Sequence, residues 1–585
     1  MNYVQTAMLL LGVFLLMGCE DPSDLETTDV GDDTATVSDV SDGDTAADDA
    51  DGEPDDASSS SDDDGIWRSA LYPEDWAPGD TDEEGRFLHD FSYAGYRHGE
   101  ELPDDIAGEL VDVTDFEADP TGENDTTEAI QQAIDTVEAD EGGVVYVPEG
   151  LYRVDDRLEI SNSGVVLRGE GPTESQIVFR RHQEMSYRAH IEVRGDRGTD
   201  DEVELVEDVP SRRHWLPVDD ITPFEIGDDV DVGWTITDDF VADHGMEDVW
   251  EAFNGQWQTF FRRNIVDIDD QSQPPRVRID VPTRYPTRVR DGAAVRRISG
   301  DITDVGIESL GVANAVEWDD AWQEDQVHVI EFNGVTDGWI RDVASFRPPE
   351  LPDEDADGET NHLQSSGIHI DSSKRVTIED VVLENAQHRG PGGNGYLFEI
   401  RSSNEVLIRD SIGRGGRHNF TQNWGFGTTG CVWLRVLSEE GRAYSSKDAT
   451  FGPTAMSDFH HSLATANLID SSELNDGWSA VNRQGYSSGA GHTSTENVFW
   501  NATGDGEIRS LQYGWGYVIG TGDDLTVDTD IQDELGGSDE LGNFASWEGT
   551  EPEDFTEGLG DASTLVPSSL YESQRQRRLD DASPR

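Results

Sequence analysis

Between Val111 and Val154 the spacing of apolar residues changes period. Val111 and Val113 alternate with polar residues as a strand does. Ala129, Ile130, Ala133, Ile134 and Val137 then share one helical face. Asp125 and Glu128 have the spacing of a capping box at the start of that helix. Gly142-Gly143 ends the helical period. Val144–Val147 is a short apolar strand closed by Pro148-Glu149-Gly150. The block therefore reads strand, turn, helix, Gly-Gly turn, strand.

Downstream the pattern becomes one of short strands. Val165-Val166-Leu167 and Ile177-Val178-Phe179 open it. Three segments then repeat: Asn333–Val343, Asp371–Val381 and Arg401–Ser411, offset by 38 and 30 residues. Each follows an apolar alternation and places an isoleucine, Ile340, Ile378 or Ile408, in a second strand. Unequal offsets suit solenoid coils with loops of different length, whose inward residues stack and whose loops on one side form a surface. Residues 195–300 interrupt the coils. Asp229–Trp234 and Val277–Val281 read as strands of a small β subdomain, and Trp234, Trp250, Trp257, Phe260 and Phe261 gather there. Two readings stand: a core of its own, or an aromatic wall for sugar rings. Pro567–Leu579 reads as a short helix that would cap the last coil and protect its strand edges.

The 111–154 block resembles the N-terminal opening of the rhamnogalacturonase/epimerase type within the pectate-lyase-like superfamily. The resemblance implies an all-β fold, a single-stranded right-handed parallel β-helix whose open end the helix caps, with the small β subdomain inserted. It implies no particular reaction, since one fold hosts many chemistries. The expected division is 66–194 for the cap and first coils, 195–300 for the insertion, 301–530 for the main coils, and 531–585 for a C-terminal cap and tail.

The first 18 residues are an apolar leader, and Ala7–Met17 is too short for a bilayer span, which needs about 20 residues. Leu16-Met17-Gly18-Cys19 resembles a bacterial lipobox, which implies a lipid on Cys19 and an extracytoplasmic, membrane-anchored lipoprotein at the outer membrane or cell surface. Residues 20–65 hold no Lys or Arg and almost no apolar clusters, the composition of a disordered tether spanning 19–65. Cys431, the other cysteine, sits in an apolar run and reads as a core residue.

The formal net charge is −85, and lysine occurs only at Lys374 and Lys447. This resembles proteins from strong brine. An acidic surface repels itself at low ionic strength, whereas about 1 M salt shortens the Debye length to ~3 Å. No basic face is evident, so nucleic acid is excluded as a partner. Monomer and trimer both fit the pattern.

His, Arg, Asn and Gly concentrate between His388 and His492, at loops following successive coils, which a solenoid brings to one face. That is the layout of a groove for a polysaccharide. A lyase must neutralise a uronate carboxylate, with a cationic group or Ca²⁺, and needs a base to take the adjacent proton. The catalytic candidates are Lys447, His418, Arg417, His461, Arg483 and His492. His388, Arg389, Asn419, Asp458, Asp476 and Tyr486 would bind substrate. Lys447 stands out because a partly desolvated lysine acts as a base and arginine does not. His460 and His461 are adjacent, so at most one lines the groove. A glycoside hydrolase needs two carboxyl groups instead, with Asp448, Asp458 and Asp476 as candidates. The ordered motifs of polygalacturonases and the Arg-x-Pro-x-x-Arg of pectate lyases are both absent. No compact metal spacing is present, no cofactor is assigned, and Ca²⁺ suits so acidic a chain without a residue set to place it. The expected function is a lyase of a uronic-acid polysaccharide. The alternatives are a hydrolase of the same fold and a noncatalytic surface protein that binds polysaccharide.

Overall fold

A computed structural model describes residues 65–351, 360–449, 452–530, 535–538, 544–547 and 551–582. The leader, Cys19 and nearly all of the tether lie outside the described residues.

Strands of successive coils pair in parallel into one sheet of 17 strands and one of ten. Bridges through Thr336, Lys374, Asn404, Thr429 and Thr465 add a narrow third face. The result is a parallel β-helix. The repeated isoleucines are its rungs: Ile307, Ile340, Ile378, Ile408, Trp433, Ile469, Phe499 and Val518 stand at one register of the long sheet. In the ten-stranded sheet, Ile191, Ile330, Ile368, Phe398 and Phe420 form the facing rung, and Phe398 stacks on Phe420 at 4.7 Å. Both rungs bury in one core. Full burial of a side chain of this size contributes about 1.5–3 kcal/mol. The aspartates that recur two positions after each isoleucine, Asp342, Asp380 and Asp410, all take positive φ. They bend the strand at a corner, where Asp tolerates the left-handed region better than a branched residue.

The helix Thr127–Ala139 buries Ile130, Ala133, Ile134 and Val137 against the first coils. Its start differs from the expected capping box. Asp125 ends a strand and accepts from the Thr127 amide at 3.0 Å, while Glu128 accepts from the Gln132 side chain. Because Asp125 also accepts from the Asp155 amide at 3.1 Å, it is held by the neighbouring coil and leaves Glu128 to solvent.

Gly198–Ser299 forms a six-stranded antiparallel sheet. Trp234 stacks on Phe260 at 3.6 Å, and Trp250 and Phe261 are buried with them. These rings are the buried core of the subdomain, continued by Phe426 of the coils, and not a sugar-binding wall. Trp257 carries the Arg296 guanidinium over its ring. Buried ionic contacts fasten the subdomain to the coils. Lys374 bonds Asp229, the Arg263 carbonyl and Asn264.

The C-terminal helix Leu570–Ala582 does not cap the last coil. Leu570 and Tyr571 pack with Leu71, Tyr72, Leu88 and Phe91 on the outer side chains Leu407, Val432, Leu468, Val498 and Tyr517 of the long sheet. Both terminal segments thus cover an apolar outer face that a lone coil would expose.

Candidate functional site

In the ten-stranded sheet, alternation turns every second residue outward, away from the rung of Phe398 and Ile400. One outward register position holds Glu192, Glu331, His369, Glu399, Thr421, Asp458, Ser479 and Arg509, strand after strand. Neighbouring members are about 4.8 Å apart along the helix axis. This row is the floor of the candidate site.

Within this row Asp458 engages two imidazoles, one of which reaches a phenol. His460 Nδ1 lies 2.6 Å from Asp458 Oδ2, and His460 Nε2 lies 3.3 Å from Tyr396 Oη. His418 Nδ1 is 3.6 Å from Asp458 Oδ1 and 2.5 Å from the Met456 carbonyl. Thr421 Oγ1 donates to Asp458 at 2.7 Å. Burial alone would raise the Asp458 pKa, but His418 and His460 outweigh it and hold the carboxyl low. Burial and the nearby Arg483 charge push His460 down to about 4, so its imidazole is neutral at neutral pH. With Asp458 as acceptor, the Nδ1–H tautomer follows, and the Nε2 lone pair faces the tyrosine. Arg483 donates to the His460 carbonyl at 2.8 Å, and the Arg417 guanidinium lies 5.9 Å from the Tyr396 ring centre.

Further along the row, His369 Nδ1 is 3.2 Å from Glu331, and His328 stacks on His369 at 4.7 Å. Burial pulls His369 down, but Glu399 and Glu331 raise it to about 9. Glu331, which burial would raise, is lowered to about 2 by that imidazolium. His328 is pushed well down, by burial first and by His369 next.

Several residues expected at the site lie elsewhere. Lys447 is exposed, ion-paired with Asp319 at 2.5 Å, and its pKa is raised by that contact. A lysine held protonated in this way is not a base. His461 turns from the floor to Ser462 and the Ser487 carbonyl, against Trp424, and burial lowers it to about 3. His460 is the one of the pair that faces the site. His492 packs on Tyr513, and His388 on Trp322. Arg389 is buried with its guanidinium over Tyr444. Asn419 and Asp476 bond one another at 2.6 Å inside the coil, where Ser438 and the Gly441 amide also reach Asp476. They brace a turn and do not face Asp458 across a groove. The Tyr486 side chain lies outside the described residues.

Tyr396, Glu331, His369 and Glu399 were not singled out from the sequence. Glu331, His369 and Glu399 carry a signal, the outward position of each apolar alternation, whereas Tyr396 has the same parity as Phe398 and reaches the site through its pairing with His418. His418, Asp458 and His460 also place three ligand-type atoms within 4.8 Å of one another.

Residues 110–195 match the family model described as rhamnogalacturonase A/epimerase, pectate lyase-like. No curated protein sequence matches the chain. Among solved structures it is similar to a tailspike of an Acinetobacter baumannii bacteriophage in complex with A. baumannii capsular saccharide, at 11% identity and TM-score 0.43, covering 72% of this chain and 58% of that one. The chain therefore spans less than two thirds of that tailspike. It is also similar to a hyperthermoactive exopolygalacturonase from Thermotoga maritima, at 11% identity and TM-score 0.31, covering 73% and 76%. A mannuronan C-5 epimerase A-module from Azotobacter vinelandii is similar at 14% identity and TM-score 0.30, covering 78% and 99%.

Proposed function

We propose that this chain, a member of the pectate-lyase-like superfamily of right-handed parallel β-helices, is an extracytoplasmic lyase that cleaves a uronic-acid-containing polysaccharide by β-elimination. The observation that carries this reading is the Tyr396–His460–Asp458 chain of hydrogen bonds, flanked by Arg417 and Arg483.

Elimination needs a base at the carbon beside the uronate carboxylate, a positive charge on that carboxylate, and an acid for the leaving oxygen. In this reading Arg417 and Arg483 pair with the carboxylate. The Tyr396 phenol passes its proton to neutral His460 Nε2, and Asp458 stabilises the imidazolium that forms. The phenolate takes the C5 proton, the C4–O bond breaks as the C4–C5 double bond forms, and the leaving oxygen takes the proton from the tyrosine. His460 then returns its own proton to the phenolate.

A hydrolase needs a carboxyl group kept protonated as general acid. In the floor row, Asp458 and Glu331 are both held low. The carboxyls raised to about 7, Asp470, Asp476 and Asp554, lie outside the floor row and are engaged by buried serines and backbone amides. That distribution favours elimination. The Leu16-Met17-Gly18-Cys19 sequence is the basis for placing the protein outside the cytoplasm on a lipid anchor.

The test is to incubate the full chain with a panel of uronic-acid polysaccharides in about 1 M salt, where surface repulsion is screened. Ultraviolet absorbance of an unsaturated uronate supports the reading. New reducing ends without that absorbance would replace it with hydrolysis. Binding with neither signal would replace it with a noncatalytic surface role.

A further inference from the structure

Asp458 and His418 stand on paired strands of the ten-stranded sheet, and His460 follows directly after the Asp458 strand. Backbone hydrogen bonding therefore fixes where the three side chains start. His460 Nδ1 and His418 Nδ1 lie 2.6 and 3.6 Å from the two oxygens of Asp458. A tetrahedral metal with ligands about 2.0–2.2 Å away separates its donors by roughly 3.3 Å. The three ligand atoms all lie within 4.8 Å of one another, so side-chain rotations bring them to that separation.

We propose that His418, Asp458 and His460 bind a divalent transition metal of the zinc or manganese class. Two imidazoles and one carboxylate suit such an ion, whereas Ca²⁺ takes six to eight oxygens. Thr421 already orients Asp458 at 2.7 Å, as supporting groups do around metal ligands. Ligation through His460 Nδ1 moves that ring's proton to Nε2, which then donates to Tyr396 Oη; in the metal-bound form His460 supports a tyrosinate whose proton has gone to solvent, instead of accepting that proton itself. Ligation through His418 Nδ1 exchanges its hydrogen bond to the Met456 carbonyl for the metal. Three protein ligands leave a coordination position open, as in catalytic zinc sites. A uronate carboxylate fits that position, and this last point alone rests on the elimination reading. The metal would then share the neutralising role with Arg417 and Arg483.

The experiment strips the full chain with a chelator and dialyses it in about 1 M KCl, which screens the acidic surface. Zn²⁺, Mn²⁺ and Ca²⁺ are added separately, and bound metal is measured by elemental analysis and titration calorimetry. The expected result is one equivalent of Zn²⁺ or Mn²⁺ that excess Ca²⁺ does not displace. Asp458→Asn and His418→Gln should each weaken it at least about tenfold, with circular dichroism unchanged. Wild type that retains no more metal than Asp458→Asn, or loses it to Ca²⁺, overturns the proposal. If the variants misfold, Co²⁺ absorption of the wild-type chain decides. An intense visible band shows imidazole ligation at low coordination number, and the weak spectrum of hydrated cobalt overturns it. Metal retention is read without substrate, so one equivalent bound by a protein that eliminates nothing defeats the elimination reading only.

Discussion

Arg263 of the inserted subdomain and Glu405 of the β-helix meet at 2.8 Å with both side chains buried. Arg284 reaches the other oxygen of the same carboxylate at 3.1 Å. One buried carboxylate thus serves two buried guanidinium groups of the subdomain.

Removing a single partner from such a group leaves a buried charge uncompensated. Glu405→Ala should cost about 3–5 kcal/mol. Thermal unfolding should show a lowered midpoint, and limited proteolysis should cut more readily between residues 195 and 300. A wild-type midpoint would mean that solvent reaches the two arginines.

Catalysis should depend on the phenol and its imidazole. Tyr396→Phe and His460→Ala are each expected to lower the elimination rate by about 10²–10⁴-fold. Circular dichroism should be unchanged, and Lys447→Ala should turn over like wild type. Full activity in Tyr396→Phe would remove the tyrosine from the reaction. A dead Lys447→Ala would restore the lysine as base.

Three buried carboxyls make an unusual contribution to the pH dependence of stability. Burial raises Asp470, Asp476 and Asp554 to about 7 from the ordinary 3.8. Between those values the folded chain holds more protons than the unfolded one, so their contribution is complete below about 3.8 and is lost as pH rises through 7. Asp476→Asn keeps the shape of the side chain without the titration. It should flatten the fall in unfolding free energy across that window, as measured by denaturant titration at several pH values. An unchanged slope would show that Asp476 is solvated.

Salt should stabilise the protein strongly. With a net charge of −85, self-repulsion acts over about 10 Å at 0.1 M salt and about 3 Å at 1 M. The thermal midpoint should climb with KCl between those concentrations. A flat response would mean that ion pairs such as Arg435–Asp410 already balance the surface.

The sequence by itself determined the coil. Ile340, Ile378 and Ile408 recur with their apolar alternations because a β-helix interior takes one buried side chain per coil at each position. The helix face of Ile130, Ala133, Ile134 and Val137 was legible for the same reason, since burial imposes a period that can be read along the chain. The tertiary structure alone decided the partners. Glu331, His369 and Glu399 keep the isoleucine offsets of 38 and 30 residues, but Thr421 and Asp458 follow at 22 and 37, because loops of unequal length separate them while strand pairing aligns them. Lys447 and His461 were misplaced because polarity and proximity in sequence do not reveal which way a loop turns. His460 faces the floor and its neighbour faces Trp424, a choice made by the packing of the subdomain against the coils. The outer helix Leu570–Ala582 follows the same logic. Its apolar partners, Leu468 and Val498, lie on a sheet face that exists only once the coils have stacked.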